Sequence, residues 1–206
     1  MLKQWQKSEC PSDEELKNRL TEARKKLELQ QMEVKEHKLP VLVLVEGWGT
    51  AGKGSVIGQV IRNIDPRFFK VVSMDTPTPE ELRKPFLARY FANIPEAGKF
   101  EFLDSGWMDE VMKERLHGKL SDEDYARRIE SIRCFERQLT DNGYLVMKFF
   151  MQISKHEQEK RIDHLREKKD TRWRISKNDE WQNEHYDKCE ETFSTFLKDT
   201  NTPAAP

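Results

Sequence analysis

Residues 41–55, VLVLVEGWGTAGKGS from Val41 to Ser55, decide how this chain folds. Val41 to Val45 are apolar without a break, a run too short for a helix and suited to a strand buried on both faces. Gly47 to Lys53 then spell G-x-x-x-x-G-K, and Val56, Ile57, Val60, Ile61 and Ile64 follow at helical spacing. Alone, that loop pattern is common by chance and can be a merely structural turn. Between a buried strand and a helix it predicts a phosphate cradle. The glycines let the backbone curl so that several N–H groups face one anion, and the helix N-terminus adds partial positive charge. Lys53 would bring a mobile cation to the outer phosphates. The expected phosphate contacts are Gly47, Gly49, Thr50, Ala51, Gly52, Lys53, Gly54 and Ser55. Ordinary loops of this kind place a Mg²⁺-binding hydroxyl directly after the lysine, where this chain has Gly54; Ser55 sits one position too late for that role.

Working outward, 206 residues suggest one domain with a helical appendage. Charged residues are 35% and apolar ones 36%, so the core must be compact and much helical surface solvated. The net charge of −1 gives no bulk attraction for nucleic acid, and any polyanion site must be a local cluster of Lys and Arg. Cys10, Cys134 and Cys189 are odd in number and widely spaced, which reads as free thiols in a reducing compartment. No apolar run is long enough to cross a membrane, and Met1 to Pro11 lack an apolar signal core. A cytoplasmic protein without a membrane partner is expected.

Strands alternate with helices along the rest of the chain. Ser12-Asp13-Glu14-Glu15 opens a helix to about Lys35. Lys70–Met74, Lys99–Leu103 and Tyr144–Met151 read as further strands. Helices are expected from Thr78 to about Asn93, Trp107 to His117, Ser121 to about Leu139, Ser154 to Lys169, and Asp179 to Lys198. This order predicts a parallel, doubly wound sheet.

Such a fold supports phosphoryl transfer, in which a protein positions phosphates and neutralises developing charge. Asp104, at the C-terminal end of a predicted strand, stands where ligands collect in open α/β sheets and is the candidate Mg²⁺ ligand; a helix N-cap is its bland alternative. Among the basic residues between Lys155 and Lys177, Arg161, Arg172 and Arg174 are the candidate phosphate contacts, the remainder forming a solvated face. Arg89 is a candidate for the acceptor side, or a surface ion pair. Phe149, Phe150, Trp173, Trp181, Phe193 and Phe196 read as core and lid packing. The five histidines share no metal-like spacing.

EGWGTAGKGSVI, DPRFF, PFLARYF, FLDSGW, FERQL, KFFMQISKHEQEKRI and RWRIS, in that order and followed by Thr-Pro-Ala-Ala-Pro, resemble the polyphosphate kinase 2 family over about 27–206. The resemblance is greatest to the tandem-domain members, polyphosphate:AMP phosphotransferases. It implies a thymidylate-kinase-like P-loop fold, a three-layer α/β sandwich with a mainly parallel sheet, helices on both faces and a helical lid. It also implies Mg²⁺-dependent phosphoryl transfer between inorganic polyphosphate and AMP or ADP. Lys53 and Asp104 then fall at the catalytic positions, Arg89 on the Phe-Leu-x-Arg segment, and Arg161, Arg172 and Arg174 on the lid. The implied organisation is an N-terminal helical extension over 1–38 and a kinase domain over 39–206, with the lid at about 154–180. A further strand or second domain would follow the Pro-rich end.

Three positions depart from the family pattern. Gly49 stands where the loop usually carries Asp, a residue that helps hold Mg²⁺ and orient the acceptor phosphate. Ser105 and Glu110 stand where the second motif carries arginines. Asp109 and Glu110 are expected to face away from the metal. These departures resemble the N-terminal half of a tandem protein, whose role would be assembly or polyphosphate binding beside an active partner domain. Two readings follow: an active phosphotransferase domain, or a catalytically degenerate one in a homo-oligomer or tandem. An ATP-dependent nucleoside monophosphate kinase is a lesser third.

Overall fold

The computed structural model describes Leu2, residues 11–74 and residues 76–206. Cys10 lies outside them. The helices are α1 (Asp13–Glu36), α2 (Lys53–Ile61), α3 (Ala88–Phe91), α4 (Trp107–Leu116), α5 (Asp122–Asp141), α6 (Lys155–Glu167), α7 (Lys177–Glu184) and α8 (Tyr186–Thr200). The strands are β1 (Val41–Gly47), β2 (Phe69–Ser73), β3 (Phe100–Asp104) and β4 (Leu145–Met151), arranged β2-β3-β1-β4 with every pairing parallel.

The period of two in β1 builds three layers. Leu42 and Leu44 belong to a core filled from α4, α5 and α8 by Trp107, Met112, Ile132, Phe135 and Phe193, with Phe135 edge-on to Trp107. Val41, Val43 and Val45 face the opposite core with Ile57 of α2, Phe100 and Phe102. Flanked by β3 and β4, β1 is buried from Val41 to Glu46, as a central parallel strand must be. This places the loop after β1 and the end of β3 side by side at the C-terminal ends of the two central strands. α1 opens on Ser12, whose hydroxyl accepts the Glu15 N–H at 3.3 Å, and none of its residues is fully buried.

The helix expected from Thr78 to about Asn93 is instead a 3₁₀ turn at Glu81–Arg83 and the four-residue α3. Pro85 accounts for the break, because it drives Lys84 into extended backbone (φ −99°, ψ 162°). The run expected from Asp179 to Lys198 splits at His185 into α7 and α8. The helix after the loop begins at Lys53 and ends at Ile61, short of Ile64. Phe149 and Trp173 are exposed, contrary to the expectation that they pack.

Candidate phosphate-binding site

The curl of the loop depends on two left-handed residues. Gly52 caps α2 at φ +93°, a conformation available to glycine at little cost, and offers no side chain, so the helix begins with bare N–H groups. Thr50 adopts φ +59°, which a β-branched residue accepts only under constraint from its surroundings. The Lys53 ammonium folds back on the carbonyls of Gly47 (3.2 Å) and Trp48 (3.1 Å), which keeps the cation inside the loop. Across the loop, a Cβ on Gly54 would lie 3.1 Å from Asp104 Oδ2. The carboxylate thus rests on the first turn of α2. Asp104 is not a helix cap; Gly106 holds that position on α4.

The lid is docked on the first half of the loop. Gly49 N–H donates to Gln182 Oε1 (2.9 Å), and its carbonyl accepts Gln158 Nε2 (3.2 Å). Arg161 Nη1 donates to the carbonyls of Ala51 (2.9 Å) and Thr50 (3.3 Å). Trp48 stacks on Tyr186 at 4.1 Å and donates to Gln152 Oε1 at 2.7 Å. Gln158 and Gln182 are buried, so these neutral bonds form out of water.

Between lid and loop lies a cleft of about 570 Å³ lined by Thr50, Gly52, Ser55, Lys160, Arg161, His164 and Arg174. It gathers the second half of the loop and two of the three lid arginines read from the sequence. Arg172 is placed elsewhere and donates to the Arg166 carbonyl at 3.3 Å. Trp173, beside it, donates to the Asp170 carbonyl and stands in solvent. The Glu157 carboxylate bonds Arg161 Nε at 2.7 Å, and this bond pulls its pKa below the usual range.

Arg89 belongs to a separate cavity of about 330 Å³. Its guanidinium lies 3.4 Å from Glu81 and 3.6 Å from Glu110, with its side chain only 9% exposed. Glu110 also accepts the Tyr90 hydroxyl at 2.9 Å. Burial raises the pKa of Glu110, opposed by the Tyr90 hydrogen bond and by Arg89. Glu110 therefore faces Arg89, in a cavity separate from the loop cleft. Asp109 lies close enough to Glu46 to raise that group's pKa.

Glu46 was not legible as a site residue. It ends the buried strand, 5% exposed, and its Oε1 accepts the Met108 N–H at 3.1 Å. Among the described residues Oε2 has no hydrogen-bond partner. Burial first, then Asp109, push its pKa up to about 7, opposed by the N–H groups of Gly106 and Met108 and by Lys53. A carboxylate inside an otherwise apolar strand was the available signal. The sequence could not reveal that the side chain turns under the loop toward α4.

A parallel sheet whose central strand feeds a Gly-Lys loop, with an aspartate at the next strand end and a basic lid, defines a P-loop kinase-like α/β protein. The family model Polyphosphate kinase 2 matches residues 10–206, so the chain belongs to that family. It is 32% identical over 179 residues to a polyphosphate:AMP phosphotransferase of Pseudomonas syringae pv. tomato, covering 86% of this chain and 35% of that protein. With an AMP/ADP-polyphosphate phosphotransferase of Meiothermus ruber it shares 28% identity, covering 86% of this chain and 67% of the other. A crystal structure of a putative polyphosphate kinase 2 from Pseudomonas aeruginosa superposes with a TM-score of 0.92 at 27% identity, over 100% of this chain and 44% of that one. Polyphosphate kinase 2 from Arthrobacter aurescens gives 0.86 at 28% identity, over 91% and 68%. The chain thus spans about a third of the polyphosphate:AMP phosphotransferase it matches. Among the described residues no helix is long and apolar enough to cross a membrane.

Proposed function

We propose that this chain is a polyphosphate-binding domain of the family with a weakened acceptor half, acting beside an active domain or a second copy. Residues 39–206 would form its kinase-type unit with a lid at about 154–180, preceded by an extension that contains α1. The observation that carries this reading is the Arg89–Glu110 pair. A cation suited to the acceptor phosphate is neutralised by the chain's own carboxylate. Polyphosphate would enter the cleft between Gly52–Ser55 and Lys160, Arg161, His164 and Arg174, where the basic side chains outnumber the one lining carboxylate, Glu157, which is paired with Arg161.

The second reading is Mg²⁺-dependent transfer between polyphosphate and AMP or ADP, favoured by Lys53 folded into the loop and Asp104 against α2's first turn. Among the described residues no three His, Cys, Asp or Glu side chains cluster as a metal cage. Mg²⁺ fits a lone carboxylate here, since it commonly takes one or two carboxylates and completes its shell with phosphate oxygens and water. Asp104 would hold it and Lys53 would neutralise the transferred phosphoryl group. The deciding experiment incubates the purified chain with polyphosphate, Mg²⁺ and AMP or ADP and follows product nucleotide. Polyphosphate binding that Lys53→Ala removes, with turnover at background, supports the first reading. Turnover abolished by Lys53→Ala supports the second and overturns the first.

A further inference from the structure

Gly49 meets the lid in a way its missing side chain makes possible. A Cβ built there would fall on the Asp179 carboxylate, 2.7 Å from Cγ and 3.1 Å from Asp179 Cβ. The same glycine uses both backbone polar groups on the lid, its N–H on Gln182 and its carbonyl on Gln158. Asp179 cannot easily retreat. Its backbone N–H donates to Ser176 Oγ (3.1 Å), its Oδ2 accepts the Ser176 N–H (2.7 Å), and it is 9% exposed. This reciprocal pair is the capping box that starts α7. Position 49 is therefore a steric gauge: with no side chain the lid seats, and with any side chain α7 must lift.

We infer that Asp179 and Gln182 are positioning residues that act through Gly49, locking the lid onto the loop and holding Arg161 and Arg174 over the cleft. This rests on reading the cleft as the polyphosphate seat. A seated lid slows exchange of a long polyanion, because Arg161 bridges from α6 to the loop carbonyls while α7 closes the adjoining edge. Restoring a side chain at position 49, aspartate included, frees the lid instead of improving the loop.

The test is a double-mutant comparison on the whole chain, using Gly49→Ala, Asp179→Gly and both together, read by amide hydrogen exchange and by dissociation of a polyphosphate of defined length. Gly49→Ala is expected to speed exchange selectively over 176–184 and to raise the polyphosphate dissociation rate about tenfold. In the Asp179→Gly background the same change should add almost nothing, because the colliding carboxylate is gone. Equal effects in both backgrounds, or faster exchange spread over β3 and α5, would mean that position 49 acts on the fold at large, and the proposal falls. Should the wild-type chain bind no polyphosphate, the proposed function fails by itself, while the exchange comparison still decides whether Asp179 reads position 49.

Discussion

Arg89 Nη1 lies 3.6 Å from the Glu110 carboxylate, and that carboxylate also accepts the Tyr90 hydroxyl at 2.9 Å. One acid, in the first turn of α4, thus ties down the arginine proposed for the acceptor phosphate. Glu110→Gln keeps an acceptor for Tyr90 and removes the charge. AMP binding, measured by titration calorimetry, should tighten up to about tenfold, with a stability loss of about 1 kcal/mol. Unchanged affinity would show that Arg89 does not serve the acceptor.

Glu46 makes stability depend on pH in a defined direction. Its folded pKa of about 7 lies above its ordinary value of 4.5, so the native state holds a proton that the unfolded chain gives up. The contribution is fully present below about 4.5 and is lost as pH rises through about 7. Denaturation of wild type and Glu46→Gln across that window should diverge with rising pH by on the order of 3 kcal/mol, the variant being the less pH-sensitive. Parallel curves would refute the burial of a proton at this position.

Lys148 and Glu136 form a buried pair beneath α8. The ammonium lies 3.0 and 3.2 Å from the two carboxylate oxygens and donates to the Thr200 carbonyl at 3.0 Å, and Glu136 is 0% exposed. Lys148→Met alone strands that acid and should destabilise by about 3–5 kcal/mol in urea titrations. Adding Glu136→Leu should recover most of the loss. Failure to recover would identify the Thr200 bond, and with it the seating of α8, as the dominant interaction.

Arg161 is the lid cation in direct contact with the loop. Arg161→Lys retains charge but not the planar fork whose Nε holds Glu157 while Nη1 reaches the Thr50 and Ala51 carbonyls. Polyphosphate affinity should fall about threefold for lysine and about tenfold or more for alanine, with the salt dependence reduced only in Arg161→Ala. Equal losses in both variants would assign its role to geometry alone.

The sheet was readable because its signals are local. An unbroken apolar run marks a strand buried on both faces, and Gly47 to Lys53 mark the turn that must follow it. Ser12, Ser121 and Ser154 each accept the N–H three residues on and start their helices where expected. The span from Thr78 to Asn93 carries helical spacing, but Pro85 disfavours helical backbone at Lys84 and breaks it. Trp173 misled because aromatic character suggested packing, whereas its ring carries Arg174 at 5.4 Å in solvent.

Local pattern was enough for the order of features along the chain: a run that must be buried, a Gly-rich loop that must turn, and an aspartate at the end of a later strand. All three depend on short-range sterics and alternation, which a linear string records. Tertiary packing alone decided that Glu110 pairs with Arg89, that the Glu46 carboxyl is buried against the start of α4, and that Asp179 fills the space beside Gly49. These contacts join residues 21 to 130 positions apart whose energies come from burial and close approach, and neither quantity exists until the sheet has brought the segments together.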